Sequence, residues 1–560
     1  MKHCYIDIET NLAHDHIWCV ATIVDGVETL HFDVSTLPEP DEYVYVAHYG
    51  LGFDFPVLER LWGWDVPFER RCDTVLLSKL HDANRKGGHS LRNLAEQAGQ
   101  ELKDDFDVED FDKGYTDKMG AYCMQDVRAL QCVHEKLVGH LEKMGFDFRC
   151  VDMEHKVRAL TNTQTANGFM LDVDKATDMY TDTVSRQREI EAELQEMFPP
   201  ITHERWSDKT GKRLKDRVEV FNIGSRQQIA HRLESQGVRW SKTTEKGATI
   251  VSEETLKPLV DKHPAAGLCL EYLTLGKKAS MLNAWLKHVD TDTNRVHGMV
   301  DTLGAITGRM THQRPNLAQV DKDPEMRGCW IVPEGSKLVG VDASGLELRM
   351  LAHYMNDDEY IQEILNGDIH WHNALAFGLS DDAVFDHANP KHGAARNTAK
   401  TLIYALLYGA GDEKLGSIVS GSRSTGRRMR SAFAASLPAY ASLVGRVQTA
   451  AKRGYIVGLD GRKLRIRSEH AALNSLLQGA GAIVMKQALI EGCRMLDEAG
   501  VQYKVVAQVH DEVQLETPKR YADYVATTFK QAITAAGEQL GMRIPLAGDS
   551  HVGINWSETH

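Results

Sequence analysis

The chain has 560 residues, 42% apolar and 26% charged, enough for three or four domains at roughly 100–200 residues each. That balance excludes wholesale disorder, and no apolar run reaches the ~18 residues a membrane helix requires. The net charge of −14 is uneven: residues 1–145 carry 14 basic and 27 acidic side chains, whereas residues 392–470 carry 14 basic and 4 acidic ones, a local basic block suited to a polyanion.

In chain order, alternation in CYIDIE predicts a strand, followed by strands at WCVATIV, ETLHFDV and YVYVAHYG. Helical period marks LRNLAEQAG and MGAYCMQDVRALQCVHEKLVGHLEKM, so the first 145 or so residues are expected to form one α/β domain. From MEHKVRALTNTQTANGFMLD onward the pattern is helical. VSRQREIEAELQEMF and SRQQIAHRLESQG are amphipathic, WSDKTGKRLKD is expected as a polar connector, and VSEETLKPLV opens on a Ser-x-Glu start signal. A strand at KLVGVD (337–342) runs into a helix at GLELRMLAHYM, and a helix-rich region fills 356–490. YKVVAQVHDEVQLE reads as strand, turn and strand before a last helix. The first ten residues already carry Asp7 and Glu9, so no signal-peptide core is expected. Nine scattered cysteines without a C-x-x-C argue against a disulfide framework or a zinc ribbon and for a reducing cytoplasm.

Asp7 and Glu9 stand two apart on the first strand and so share a face, about 6.6–7 Å apart along the chain, with Ile6 and Ile8 on the other. Paired acids repel unless a cation bridges them, and hard oxygen ligands favour Mg²⁺ or Mn²⁺. Asp54 follows a strand in HYGLGFDFPVLE, and Tyr122 and Asp126 lie four apart on one helix face. Four acids and a phenol are what two-metal phosphodiester hydrolysis needs: metals to activate water and hold the leaving oxygen, a phenol to orient the water.

Three later elements converge on a second chemistry. Asp342 ends an apolar strand, where its carboxylate can project into a cleft. His510, Asp511 and Glu512 occupy the turn of a predicted hairpin, and carboxylates from neighbouring strands could hold two Mg²⁺ about 3.5–4 Å apart. Between them, in RNTAKTLIYALLYGAG, Arg396, Lys400, Tyr404 and Tyr408 recur every four residues as a stripe roughly 18 Å long, with Leu402, Ile403, Leu406 and Leu407 largely off it. Two cations followed by two aromatics suit a ligand with phosphates at one end and a base at the other.

The D-x-E, F-D and Y-x-x-x-D stretches resemble the motifs of the DEDD 3′–5′ exonuclease family, tyrosine subtype. VDASGLELR, RNTAKTLIYALLYGAG and QVHDE, in this order, resemble motifs A, B and C of family A DNA polymerases. TGRMTHQRPNLAQV, ILNGDIH and GLDGRKLRIRSEHAALNSLLQGAGA add to the resemblance, which spans nearly the whole chain and points to the replicative polymerases of T-seven-like bacteriophages. It implies a multidomain α/β and α+β fold: an RNase H-like exonuclease domain (1–150), a connector (151–175), a helical thumb (176–292), palm (293–355 and 481–560) and helical fingers (356–480).

The roles it implies are specific. Asp342 and Asp511 are metal ligands with Glu512 beside them, and the Ala343 backbone adds an oxygen. Arg396, Lys400 and His370 hold the triphosphate, Lys400 doubling as the acid for leaving pyrophosphate. Glu347 crowds the sugar 2′ position. Tyr408 and Gly409 shape the templating-base pocket. Arg309, Gln478, His510 and Asn474 contact the minor groove near the primer end. Asp7, Glu9, Asp54 and Asp126 hold the exonuclease metals, and Tyr122 orients the water. Each site takes two Mg²⁺, for which Mn²⁺ can substitute. Tyr404, where relatives have Phe or Tyr, implies ready incorporation of dideoxynucleotides. Primer-template DNA and dNTPs are the implied substrates, a phage helicase-primase and a single-stranded DNA-binding protein the further partners, and host cytoplasm the setting.

Two departures stand out. Tyr49 takes the place of an Asn common five residues before the second-motif Asp. FNIGSRQQIAHRLESQGV runs almost directly into WSKTTEKGATIVSEETL, so a thioredoxin-binding thumb insertion, and thioredoxin itself, are not expected. Two other readings are a single-subunit RNA polymerase, against which Glu347 and the exonuclease module argue, and a degenerate DNA-binding scaffold, against which the intact acids argue.

Overall fold

Alternation in HCYIDIET makes His3–Thr10 (β1) the middle of a five-stranded sheet. It pairs antiparallel with Ile17–Val24 (β2), which pairs with Val27–His31 (β3), and parallel with Val44–Ala47 (β4), which pairs with Arg71–Asp73 (β5). The computed structural model describes residues 2–100, 102, 106–240, 242–244, 246–320 and 322–560. Period two splits β1 between two cores. Cys4, Ile6 and Ile8 pack with Phe55 and Leu58 of helix α1 (Asp54–Trp62). Tyr5 packs with Cys19, Ala21 and the Met119, Cys123, Val127 and Leu130 stripe of helix α2 (Asp117–Lys143). Helix α2 starts where the Thr116 hydroxyl accepts the Met119 N–H at 3.2 Å, satisfying an otherwise orphan donor.

Packing divides the chain into two units, residues 1–168, 298–319 and 332–560 in one and 169–297 and 320–331 in the other. In the smaller unit Phe169–Leu171 pairs with Arg295–Val296 and Trp330–Ile331, and the Trp330 ring meets Phe169 at a tilt and Trp285 edge-on, with centroids 5.2 and 5.1 Å away. Residues 320–331, expected in the palm, therefore return to this unit, because the apolar Trp330 strand completes its sheet. Its helices Val173–Met197 and Pro264–His288 enclose Ile190, Leu194, Phe221, Leu233 and Cys269. The expectation of a wholly helical segment with WSDKTGKRLKD as connector is corrected: Ile201–Trp206 and Arg213–Glu219 form an antiparallel hairpin. Both of its strands are largely exposed, so no apolar alternation marked them.

The second sheet of the larger unit is antiparallel throughout. Ser336–Ala343 (β6) lies between Glu512–Pro518 (β8) and Gly548–Gly553 (β9), and Lys504–Val509 (β7) pairs with β8. Its core continues into helices α4 (Leu346–Met355), α5 (Pro390–Leu407), α6 (Ala472–Glu498) and α7 (Ala522–Gln539) through Val339, Leu351, Leu402, Leu406, Leu477 and Phe529. A charged cluster ties the parts of this unit together. Glu154, on helix α3 (Arg149–Asn167), accepts from Arg462 Nη1 at 2.7 Å and Lys486 Nζ at 2.6 Å. Asp460 also pairs with Arg462 at 2.6 Å, and Lys486 donates to the Thr302 carbonyl at 2.7 Å. All four side chains are buried, so only mutual pairing makes their charges tolerable.

Candidate active sites

The odd face of β1 carries Asp7 and Glu9 beneath α2, which brings Tyr122, Cys123 and Asp126 over them. Asp54 opens α1, with its carboxyl buried. Ligand atoms of Asp7, Glu9 and Cys123 all lie within 4.8 Å of one another. Burial, followed by the charges of Glu9, Asp126 and Asp54, pushes the Asp7 carboxyl well up. Burial pushes Glu9 up to about 9, with Cys19, Asp126 and Asp54 adding to it. Burial likewise takes Asp54 to about 7 and Asp126 to about 6, the latter against a hydrogen bond from Tyr122. Carboxyls that so resist ionisation side by side are the donor set a divalent cation stabilises as anions. Burial and Asp126 raise the Tyr122 phenol, which keeps its proton and remains a donor.

Tyr49 is exposed with φ +64°, its N–H bonded to Asp73 Oδ1 at 3.1 Å. Its hydroxyl accepts from Arg158 Nη2 at 2.7 Å, and the Arg158 guanidinium lies 5.0 Å from its ring. At this position the chain presents an aromatic and a cation.

The second constellation is built by the sheet. Asp342 stands opposite Glu512 on one side and Asp549 on the other. The Ala343 N–H donates to the Asp511 carbonyl at 3.1 Å, which brings two acids 169 positions apart to adjacent backbone. His510 adopts φ +58° in the two-residue turn, a left-handed conformation costing a β-carbon residue about 1–2 kcal/mol, held by the strands on either side. Burial and the Glu347 charge push the Asp511 carboxyl up. Glu512 is turned elsewhere: one oxygen accepts from the Trp556 indole and from Gln514 at 2.6 Å, and the other meets His560 at 2.7 Å. It braces the hairpin beside Asp511.

Helix α5 starts at Asn389, whose side chain accepts the Lys391 N–H at 3.0 Å, with Pro390 at its first position. Leu402, Ile403, Leu406 and Leu407 are buried, while Lys400 and Tyr408 are exposed and Arg396 and Tyr404 half-buried. The helix stops at Tyr408, and Gly409 follows with φ +79°, a conformation glycine adopts without strain. Arg396 Nε donates to Asp368 at 2.6 Å. Burial and the charges of Arg396 and Lys400 lower His370, which faces the same stripe 6.5 Å from the Tyr404 ring. Burial, then the charges of Glu347, Tyr408 and Asp511, raise the Tyr404 phenol, so the stripe and the Asp511 turn share one space.

The Tyr408 hydroxyl donates to Glu347 Oε1 at 2.9 Å, and Arg309 Nη2 lies 3.8 Å from the same oxygen. Arg309 and His510 line one small cavity. Gly409 and Asn474 line a larger cleft of about 710 Å³ that also holds Arg423, Arg427 and Arg430. Gln478, one turn after Asn474 on α6, is half-buried. The sequence reading omitted Asp549, whose carboxylate accepts from Ser344 at 2.6 Å, the Asp368 partner of Arg396, and the thiols of Cys19 and Cys123. Only strand pairing or helix packing brings these to their sites.

The profile of DNA polymerase family A matches residues 201–558. The chain is similar to the DNA-directed DNA polymerases of Enterobacteria phage T3 and Escherichia phage T7, each 31% identical over 92% of this chain and 92% of the relative. DNA polymerase I of Bacillus subtilis is 26% identical over 76% of this chain and 48% of its own length. A solved structure described as the POL domain of Pol1 from M. smegmatis in complex with DNA primer-template and dNTP superposes with a TM-score of 0.81. At 20% identity, covering 99% of this chain and 95% of that one, it shows a common fold.

Proposed function

The chain belongs to DNA polymerase family A, and from that premise we propose that its second sheet extends primers while its first removes mismatched 3′ ends. Template-directed DNA synthesis is the activity. The observation that carries the site assignment is the backbone pairing of Ala343 with Asp511 at 3.1 Å beside a stripe whose Tyr404 senses Asp511.

Mg²⁺, or Mn²⁺ in its place, supplies Lewis-acid charge when bound, two ions to each site. Asp342 and Asp511 are the side chains that would hold it in the synthetic site, with the Ala343 carbonyl. Arg396, Lys400 and His370 grip the triphosphate, so that the primer 3′-hydroxyl attacks the α-phosphate in line and pyrophosphate leaves. Lys400, the exposed cation of the stripe, delivers the proton to the leaving group. Glu347, fixed by Tyr408 and Arg309, bars a 2′-hydroxyl, while Tyr408, Gly409 and Asn474 border the templating base. Arg309, His510 and Gln478 read minor-groove acceptors common to all correct pairs.

A frayed end moves to Asp7, Glu9, Asp54 and Asp126, where Tyr122 orients the attacking water. Domains follow the sequence reading, except that the thumb also takes in residues 169–175, 293–297 and 320–331. Primer-template and dNTPs are the substrates, and a helicase-primase and a single-stranded DNA-binding protein the replication partners, in host cytoplasm. Thioredoxin is not among them, since only a short connection joins Arg226–Ser235 to Glu253–Leu256. Among the described residues no helix is long and apolar enough to cross a membrane.

The test is extension of a labelled primer-template with a matched or mismatched end, with dNTPs or rNTPs. The Asp7→Ala, Glu9→Ala double variant should lose mismatch removal and single-strand degradation and keep matched extension. Continued Mg²⁺-dependent degradation in that variant refutes the first-sheet assignment.

A further inference from the structure

We propose that the β1–α2 acid cluster doubles as a mixed sulfur–carboxylate site that captures a thiophilic dication such as Zn²⁺, switching degradation off. The proposal rests on the exonuclease reading of that cluster but concerns ligands that reading does not use. Cys123 follows the water-orienting Tyr122 on α2, and both Cys123 and Cys19 are fully buried. The Cys123 thiol lies 3.6 Å from Asp7 Oδ2, and ligand atoms of Asp7, Glu9 and Cys123 fall within 4.8 Å of one another. Cys19 stands directly opposite Glu9 in the β1–β2 register and packs in the same core cluster as Cys123. One thiol and two carboxylates thus meet at one point, with Cys19 packed beside them.

Tetrahedral Zn²⁺, with Zn–S about 2.3 Å and Zn–O about 2.1 Å, needs sulfur and oxygen about 3.6 Å apart, the separation already present between Cys123 and Asp7. Closing the remaining distances takes about 1 Å of side-chain movement, well within a rotamer adjustment. Mg²⁺ ignores sulfur and keeps to oxygen, whereas thiolate ligands select Zn²⁺ and its softer congeners. Capture releases the thiol proton to solvent and ties up Asp7 and Glu9, the two carboxylates that Mg²⁺ would use. Free zinc sufficient to fill the site would therefore hold the enzyme in a synthesis-only state.

Co²⁺ reports the sulfur directly. The full-length protein, without DNA, is titrated with Co²⁺, and the thiolate-to-cobalt charge-transfer absorption is recorded in the parent, Cys123→Ser and Cys123→Ala. Zn²⁺ inhibition of Mg²⁺-dependent single-strand degradation is measured in parallel. The parent should show the band at one equivalent, both variants should lose it, and half-inhibition by Zn²⁺ should shift up by at least about tenfold. An identical band in parent and variants, or unchanged inhibition, overturns the proposal. Primer extension without Zn²⁺ reports folding. If the Cys123 variants fail it, loss or retention of the band in Asp7→Ala decides, retention overturning the proposal. Absence of Mg²⁺-dependent degradation in the parent would instead refute the exonuclease reading, and the cobalt band would still judge the ligand set.

Discussion

Removing one member of the Glu154–Arg462–Asp460–Lys486 cluster gives a prediction whose size follows from charge balance. Two cations face two anions, and Glu154 Oε1 alone takes Arg462 at 2.7 Å and Lys486 at 2.6 Å. Glu154→Gln leaves a net buried positive charge, and Lys486→Met a net negative one. Breaking a buried pair on one side costs about 3–5 kcal/mol. The larger unit holds about 420 residues, so its unfolding entropy is about 0.9 kcal/mol/K and each variant should melt roughly 3–6 °C lower. The double variant restores neutrality around the Asp460–Arg462 pair and should lose less than the sum, with a coupling of at least ~2 kcal/mol. Burial lowers Lys486 to about 8, so between about pH 8 and its unfolded value near 10.5 the folded chain binds fewer protons than the unfolded one. Its contribution to stability therefore grows as pH rises through that window, and Lys486→Met should lack the rise. Calorimetry of the four proteins across pH is the assay. Strict additivity, with no change in pH slope, would refute the reasoning.

Two further outcomes follow from the active sites. Tyr404→Phe should lower dideoxynucleotide use relative to deoxynucleotide use by roughly 10- to 100-fold, the worth of one hydroxyl contact; equal chain termination by both proteins would contradict it. Without metal, Glu9 at about 9 and Asp54 at about 7 bind protons that the unfolded chain releases near pH 4. Their contribution is complete below pH 4 and falls as pH rises toward about 9, so the EDTA-treated protein should melt progressively lower from pH 5 to 9 or so. Mg²⁺ should flatten that slope, and a slope insensitive to Mg²⁺ would count against metal binding by these acids.

Local periodicity carried much of the fold into view. Period two placed Asp7 and Glu9 on one face of β1, and the four-residue stripe of α5 put Arg396 and Lys400 away from Leu402 and Leu406. The hairpin at Ile201–Trp206 and Arg213–Glu219 escaped because exposed strands lack apolar alternation. Partners set by register or packing escaped as well. Asp549 meets Asp342 only through β9, Cys19 meets Glu9 only through β2, and Glu154 lies more than 300 positions from both of its cations. Sequence spacing holds no record of such pairings. The tie of Tyr408 to Glu347 likewise depends on where α5 ends against α4.

The most direct measurement is single-turnover primer extension by Asp342→Asn and Asp511→Asn, each assayed beside single-strand degradation. Loss of a ligand to shared metals should slow extension by at least about 10³-fold, roughly 4 kcal/mol, with degradation unchanged. Extension near the parent rate in either variant, or loss of both activities in a protein that still melts cooperatively, would contradict the shared site of Asp342 and Asp511.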